Sequence, residues 1–175
     1  MPRTNHEQVD ALLDPLTEYN WDLIIPLVPG VQGFDASDFK TRIMSTELPG
    51  RTIEPIPQLL HGVNRNTAGM VRYTQQMNFT LMETRDLRAR DVLQGWHRYC
   101  RNDSSLGTYY NEYTTTVVLR LFDDHDKAIR DVNLHRCWLE SFQDVSLDGG
   151  SNSAVIIQGQ LNYFRWTEND SAGTN

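Results

Sequence analysis

His97 and Cys100 stand three residues apart, and His135 and Cys137 two apart, so the chain carries two close pairs of nitrogen and sulfur ligands. Such a set could hold zinc, and a zinc-dependent enzyme is the activity it would support. The spacing works against it. His135 and Cys137 share one face of a strand, whereas Cys100 falls in the apolar stripe of a helix, where cysteine serves as a small hydrophobe. Asp123, Asp124 and Asp126 begin like a calcium loop, but the glycine and glutamate that complete one are missing, and a solvated turn accounts for them. Glu83 with Asp86, and Asp144 with Asp148, are spaced for acid–base work, yet nothing brings either pair into a pocket. Tyr109, Tyr110 and Tyr113, with Tyr163, Phe164 and Trp166, would make a stacking platform for bases or sugars. Packing within a sheet is the plainer account of them. With no Gly-rich phosphate loop, nucleophile elbow or HExxH, the expectation is a protein that is not an enzyme and needs no cofactor.

The elements that carry these residues alternate with period two. Over residues 71–83, Val71, Tyr73, Met77, Phe79 and Leu81 alternate with polar side chains, which predicts a long half-buried strand. Residues 112–122 and 128–139, joined by the aspartate-rich turn, read as a hairpin, and residues 154–166 as a further strand. Shorter strands are expected over residues 21–28, 38–46 and 51–55. One segment, residues 86–101, instead repeats at helical spacing (Ala89, Val92, Leu93, Trp96, Cys100), with Thr84 or Asp86 as its cap and Gly95 as a costly interior residue. The predicted fold is mainly β: a barrel or sandwich of about seven strands with one flanking helix and a long extended arm. Residues 1–19 form a polar extension, with Val9, Leu12, Leu13 and Leu16 suggesting a short helix; 20–167 is the domain; 168–175 is a flexible tail.

Composition narrows the function. Of 175 residues, 39% are hydrophobic, and 16 Lys and Arg against 23 Asp and Glu leave a net charge of -7. A chain of this charge does not grip nucleic acid through its phosphates. Only Lys40 and Lys127 are lysines; the arginine bias suits geometric ion pairs at protein contacts. No apolar run is long enough to span a bilayer, no secretory leader is evident, and two cysteines fit a reducing compartment. The arm, residues 48–70, combines Pro49, Gly50, Pro55, Pro57, Gly62 and Gly69 with Ile53, Ile56, Leu59, Leu60 and Val63. A loop of that length bearing apolar side chains calls for a partner, either its own barrel or another subunit.

In order, Leu48-Pro49-Gly50-Arg51-Thr52, the arm, Tyr73, Val92 and Trp96, the Tyr109–Tyr113 segment, the Val117–Leu121 hairpin, Cys137-Trp138-Leu139-Glu140 and Leu161–Trp166 resemble the tail tube proteins of contractile-tailed bacteriophages. The resemblance spans about residues 20–167 and extends to type VI secretion and bacteriocin tube proteins. It implies a structural virion protein, assembled in the host bacterial cytoplasm, whose six-membered rings stack into the inner tube of the tail. The implied partners are itself, the tail sheath protein, baseplate tube-initiating proteins, the tape-measure protein, and phage DNA that slides through without tight binding. A baseplate-proximal initiator or a type VI-like tube component is the alternative. On this reading Arg51, Ile53, Glu54, Ile56, Leu59, Leu60 and Val63 make inter-ring contacts, and Gln76, Asn78, Glu83, Gln158, Gln160 and Asn162 face the lumen.

Overall fold

The computed structural model describes residues 20–101, 108–143, 145 and 153–170. The expected extension 1–19, the helix stop at Asn102–Ser105, the pair Asp144 and Asp148, and residues 171–175 of the tail lie outside them. The strands are β1 (Trp21–Ile24), β2 (Ile43–Thr46), β3 (Arg51–Leu60), β4 (Val63–Tyr73), β5 (Gln76–Met82), β6 (Thr115–Phe122), β7 (Ala128–Phe142), β8 (Ile156–Asn162) and β9 (Arg165–Asp170). The helices are α1 (Ala36–Arg42), α2 (Arg88–Cys100) and the single turn α3 (Tyr110–Tyr113). The chain is mainly β, as expected. Seven strands join in one antiparallel sheet in the order β1-β6-β7-β8-β5-β2, with β9 also on β7, and the sheet stays open rather than closing into a barrel. Among the described residues no helix is long and apolar enough to cross a membrane.

β7 organises the sheet. Its first half pairs with β6 and β9, its second with β8. Where Thr116 of β6 opposes two residues of β7, His135 and Arg136, Arg136 takes a φ of 56° and the strand bulges. A bulge sharpens bend and twist, which lets one strand serve two differently inclined halves of a sheet. β8 and β9 follow the same edge of β7 and break at Tyr163 and Phe164, opposite that bend. The predicted strand 154–166 is therefore two, and Glu168 and Asn169 of the supposed tail pair with Val132 and Asp131.

The inward sides of the strands supply Leu23, Met77, Phe79, Leu81, Val117, Leu119, Leu134, Leu139, Ile157 and Leu161 to one core. α2 covers it with Ala89, Leu93 and Trp96, all 0% exposed. Gly95 on that helix faces a loop of the same chain: a β-carbon there would come within 2.9 Å of Val31. The strand expected over 38–46 begins instead as α1. The Asp35 carboxylate accepts from the Ser37 and Asp38 amides, and Phe39 and Arg42, three apart, bury one face. A local cap and an inward stripe outweigh weak alternation in so short a segment.

Candidate assembly surfaces

The arm is a β-hairpin. β3 and β4 pair from Arg51 opposite Tyr73 to Leu60 opposite Val63, closed by His61 and Gly62 with φ of 49° and 81°. Both positive values fit the two-residue turn that matches strand twist. The expectation of an irregular loop beyond residue 55 is thus corrected. Pro55 and Pro57 fall where neighbouring residues do not exchange hydrogen bonds, counting back from the closing pair, so the missing amides cost the ladder nothing. Gly69 sits in the bulge opposite Glu54, where a β-carbon would lie 2.4 Å from the Glu54 carbonyl oxygen.

Every residue of β3 is exposed. Alternation puts Ile53, Pro55, Pro57, Leu59 and Val71 on one face and Ile56, Leu60 and Val63 on the other. Glu54 meets Arg72 at 2.9 Å on the second face. The expected contact residues Arg51, Ile53, Glu54, Ile56, Leu59, Leu60 and Val63 therefore belong to one projecting ribbon, greasy on both sides. Trp166 of β9 grips its root. The indole lies 5.9 Å from the Arg51 guanidinium and 6.0 Å from the Tyr73 ring, and its Nε1 donates to the Gly50 carbonyl at 3.4 Å. Sequence reading placed Trp166 among the aromatics and at the end of the last strand but not at the hairpin, because nothing local marks a contact across more than a hundred residues.

A second surface is the outer face of β5 and β8. Gln76 stands opposite Asn162, Asn78 opposite Gln160, and Thr80 opposite Gln158. Five of the six residues expected to line a lumen are thus cross-strand neighbours. They also hold two carboxylates that sequence reading did not single out. Glu140 accepts from Gln76 Nε2 and Asn162 Nδ2, each at 3.2 Å, and Glu47 accepts from the Asn78 backbone and side-chain amides at 3.1 and 3.0 Å. Glu140 occupies a bulge in β7, which is why simple alternation does not aim it here. β2, β5 and β8 contain no Lys or Arg.

Glu83, the sixth candidate, is a correction. It is 9% exposed, and its carboxylate accepts from the Thr84, Ala89 and Arg90 amides at 3.0, 3.3 and 2.8 Å. It satisfies the start of α2, replacing the expected caps Thr84 and Asp86; the preceding residue, Leu87, makes no side-chain cap. Arg42, 7% exposed, lies 3.8 Å from Glu83, 3.0 Å from Asp38 and 3.4 Å from Asp86, and bonds Thr84. This hub ties α1 to the β5–α2 junction.

The metal candidates do not converge: among the described residues no three His, Cys, Asp or Glu side chains gather to hold an ion. Cys137 is buried and donates to the Leu134 carbonyl, and burial pushes its thiol up to about 12. Burial likewise pushes the half-buried Cys100 up to about 11. The His97 ring meets Phe142 edge-on, and His135 bonds Thr167. Asp123 is a turn residue whose carboxylate accepts from the Lys127 and His125 amides. Tyr110, Tyr113 and Trp138 stack edge to face in series, whereas Tyr163 is in the core, so the aromatics form no single platform.

No protein-family model and no curated protein matches the chain. Solved structures do. A chain of the anti-feeding prophage cap, a tube-terminating cap, superimposes with a TM-score of 0.65 at 14% identity, covering 92% of this chain and 95% of that one. A chain of the six-fold symmetrised anti-feeding prophage baseplate gives 0.61 at 18%, covering 92% and 99%. One from the extended sheath–tube complex of the extracellular contractile injection system PVC gives 0.61 at 14%, covering 96% and 99%. At these identities the likeness is one of fold, and it is the fold that the resemblance in the sequence implied.

Proposed function

We propose that this chain is a structural subunit of the tube of a contractile injection assembly, built by closing copies into rings and stacking the rings. The observation that carries this reading is the hairpin. A two-stranded ribbon with apolar residues on both faces gains nothing in isolation and is satisfied only when other surfaces cover both sides. Pro55 and Pro57 remove donors from the outer edge of β3, so on that side it docks through its faces rather than by recruiting another strand. Ring closure draws instead on the outer edges of β1, β2 and β9, none of which pairs with a further strand among the described residues.

In such a ring the amide face of β5 and β8 lines the bore. Its two carboxylates are held by Asn and Gln, and its strands lack cations, so a polyanion such as phage DNA finds nothing to bind by counterion release and stays mobile. The fold neighbours include a sheath–tube complex and a baseplate, which supports a sheath and baseplate tube initiators as partners. The contractile tail of a virion, with a tape-measure protein setting tube length and assembly in the host cytoplasm, is the finer form of the same proposal. A tube-terminating or baseplate-proximal role is the second reading, favoured by the cap and baseplate neighbours. Sedimentation velocity across a concentration series tests both. A tube subunit forms rings that grow into longer particles, a terminal component stops at single rings, and a monomer at every concentration refutes the proposal.

A further inference from the structure

At the junction of β5 and α2, Leu87, Val145, Val155 and Ile157 line an apolar groove of about 310 Å³, with Arg85 and Arg90 on its rim. Leu87 is 55% exposed and is held at a φ of 54°, an uncommon conformation for a bulky side chain. Among the described residues neither rim arginine takes part in an ion pair, and the one carboxylate that lines the groove, Glu83, is already bonded to helix amides. The groove therefore suits an apolar segment that brings carboxylates.

The chain contains one. Between Glu7 and Glu18, Val9, Leu12, Leu13 and Leu16 are interspersed with Glu7, Asp10, Asp14 and Glu18, and no Lys or Arg occurs. This stretch lies outside the described residues, but its point of departure does not. Asn20 is tied to the β6–β7 turn: its carbonyl accepts from the Phe122 amide at 3.0 Å, and its Nδ2 donates to Asp123 and Asp124. The groove sits at the other end of β7, where Gln143 bonds Gln158 and Glu83 bonds Val155. Each half of β7 about the bend at Arg136 runs roughly 20 to 25 Å. Leu16 is four residues from Asn20 and reaches at most about 14 Å, and Leu12 is eight and reaches at most about 29 Å, less than the two halves of β7 laid end to end.

We propose that residues 7–18 of one copy occupy the groove of the next, Leu12 and its neighbours on Leu87 and Val155, and Asp10 and Asp14 against Arg85 and Arg90. Donor and acceptor at opposite ends of one subunit make a head-to-tail contact, which extends an assembly wherever its rotation does not close a ring, as between stacked rings. This inference rests on the tube reading and supplies a second inter-ring bond beside the hairpin.

The test is disulfide trapping in the full-length chain carrying Leu12→Cys and Leu87→Cys, with Cys100 and Cys137 replaced by Ala, imaged in parallel by electron microscopy. Oxidation of assembled protein is expected to give a ladder of linked copies. Charge reversal, Arg85→Glu with Arg90→Glu, slows linking about tenfold, and adding Asp10→Arg with Asp14→Arg restores it. A cross-link within one copy overturns the proposal. So do assembled particles with no ladder, which would mean that the chain's own residues beside Val145 or a different partner fill the groove and would leave the tube reading standing. Monomers without a ladder overturn both.

Discussion

Replacing Leu59 and Val63 by serine removes one exposed apolar side chain from each face of the hairpin without touching the core. Leu59 is 72% exposed and Val63 67% exposed. Full burial of such a side chain stabilises by about 1.5–3 kcal/mol, so the area still open to a partner is worth about 1–2 kcal/mol at each site. The pair together should raise the critical concentration for assembly by roughly 30- to 700-fold. The folded subunit should hardly notice, since substitutions at exposed sites usually stay within about 0.5 kcal/mol. Pelleting across a dilution series reads the first quantity and urea unfolding of the dilute subunit the second. An unchanged critical concentration, with stability also unchanged, would show that the ribbon faces solvent in the assembly and would remove the observation on which the function rests.

Three further outcomes follow from the structure. Glu83→Ala strips the start of α2 of its acceptor and leaves Arg42 short of a counter-charge; a loss of about 3 kcal/mol is expected in urea unfolding. The hydrogen bond from Thr84, and then that from Arg42, hold the Asp86 carboxyl below the ordinary carboxylate range. A value lower in the folded than in the unfolded chain makes its contribution complete above about pH 4 and lost as the pH falls through the lowered value. The unfolding midpoint should drop there, and Asp86→Asn should lessen the drop. With its thiol pushed up to about 12 in the core, Cys137 should resist iodoacetamide at pH 8 until urea unfolds the chain, whereas prompt labelling of the native protein would contradict its burial.

Much of this architecture was legible in the residues. Period-two alternation located β5, β6, β7 and β8, and Ala89, Leu93 and Trp96 located α2, because burial on one side writes the same period into the sequence. What failed had physical causes. Pro55 and Pro57 read as loop markers, yet they occupy positions where a strand can spare its amides. Asp38 to Thr46 read as a strand because the Asp35 cap and the Arg42 hub act across turns that alternation does not register. Glu83 looked like a lumen residue by proximity to β5, but the free amides of α2 claimed it. Gln76, Asn78, Gln158, Gln160 and Asn162 fall on one face, since cross-strand partners in an antiparallel pair necessarily share a side. Trp166 at the hairpin root and the Glu47 and Glu140 carboxylates were invisible, being fixed by tertiary approach or by a bulge.

The most direct measurement is negative-stain electron microscopy of the purified full-length protein at high concentration. The account predicts hollow rings that stack end to end, with the hairpins buried between subunits. A field of solitary compact particles at every concentration would contradict it.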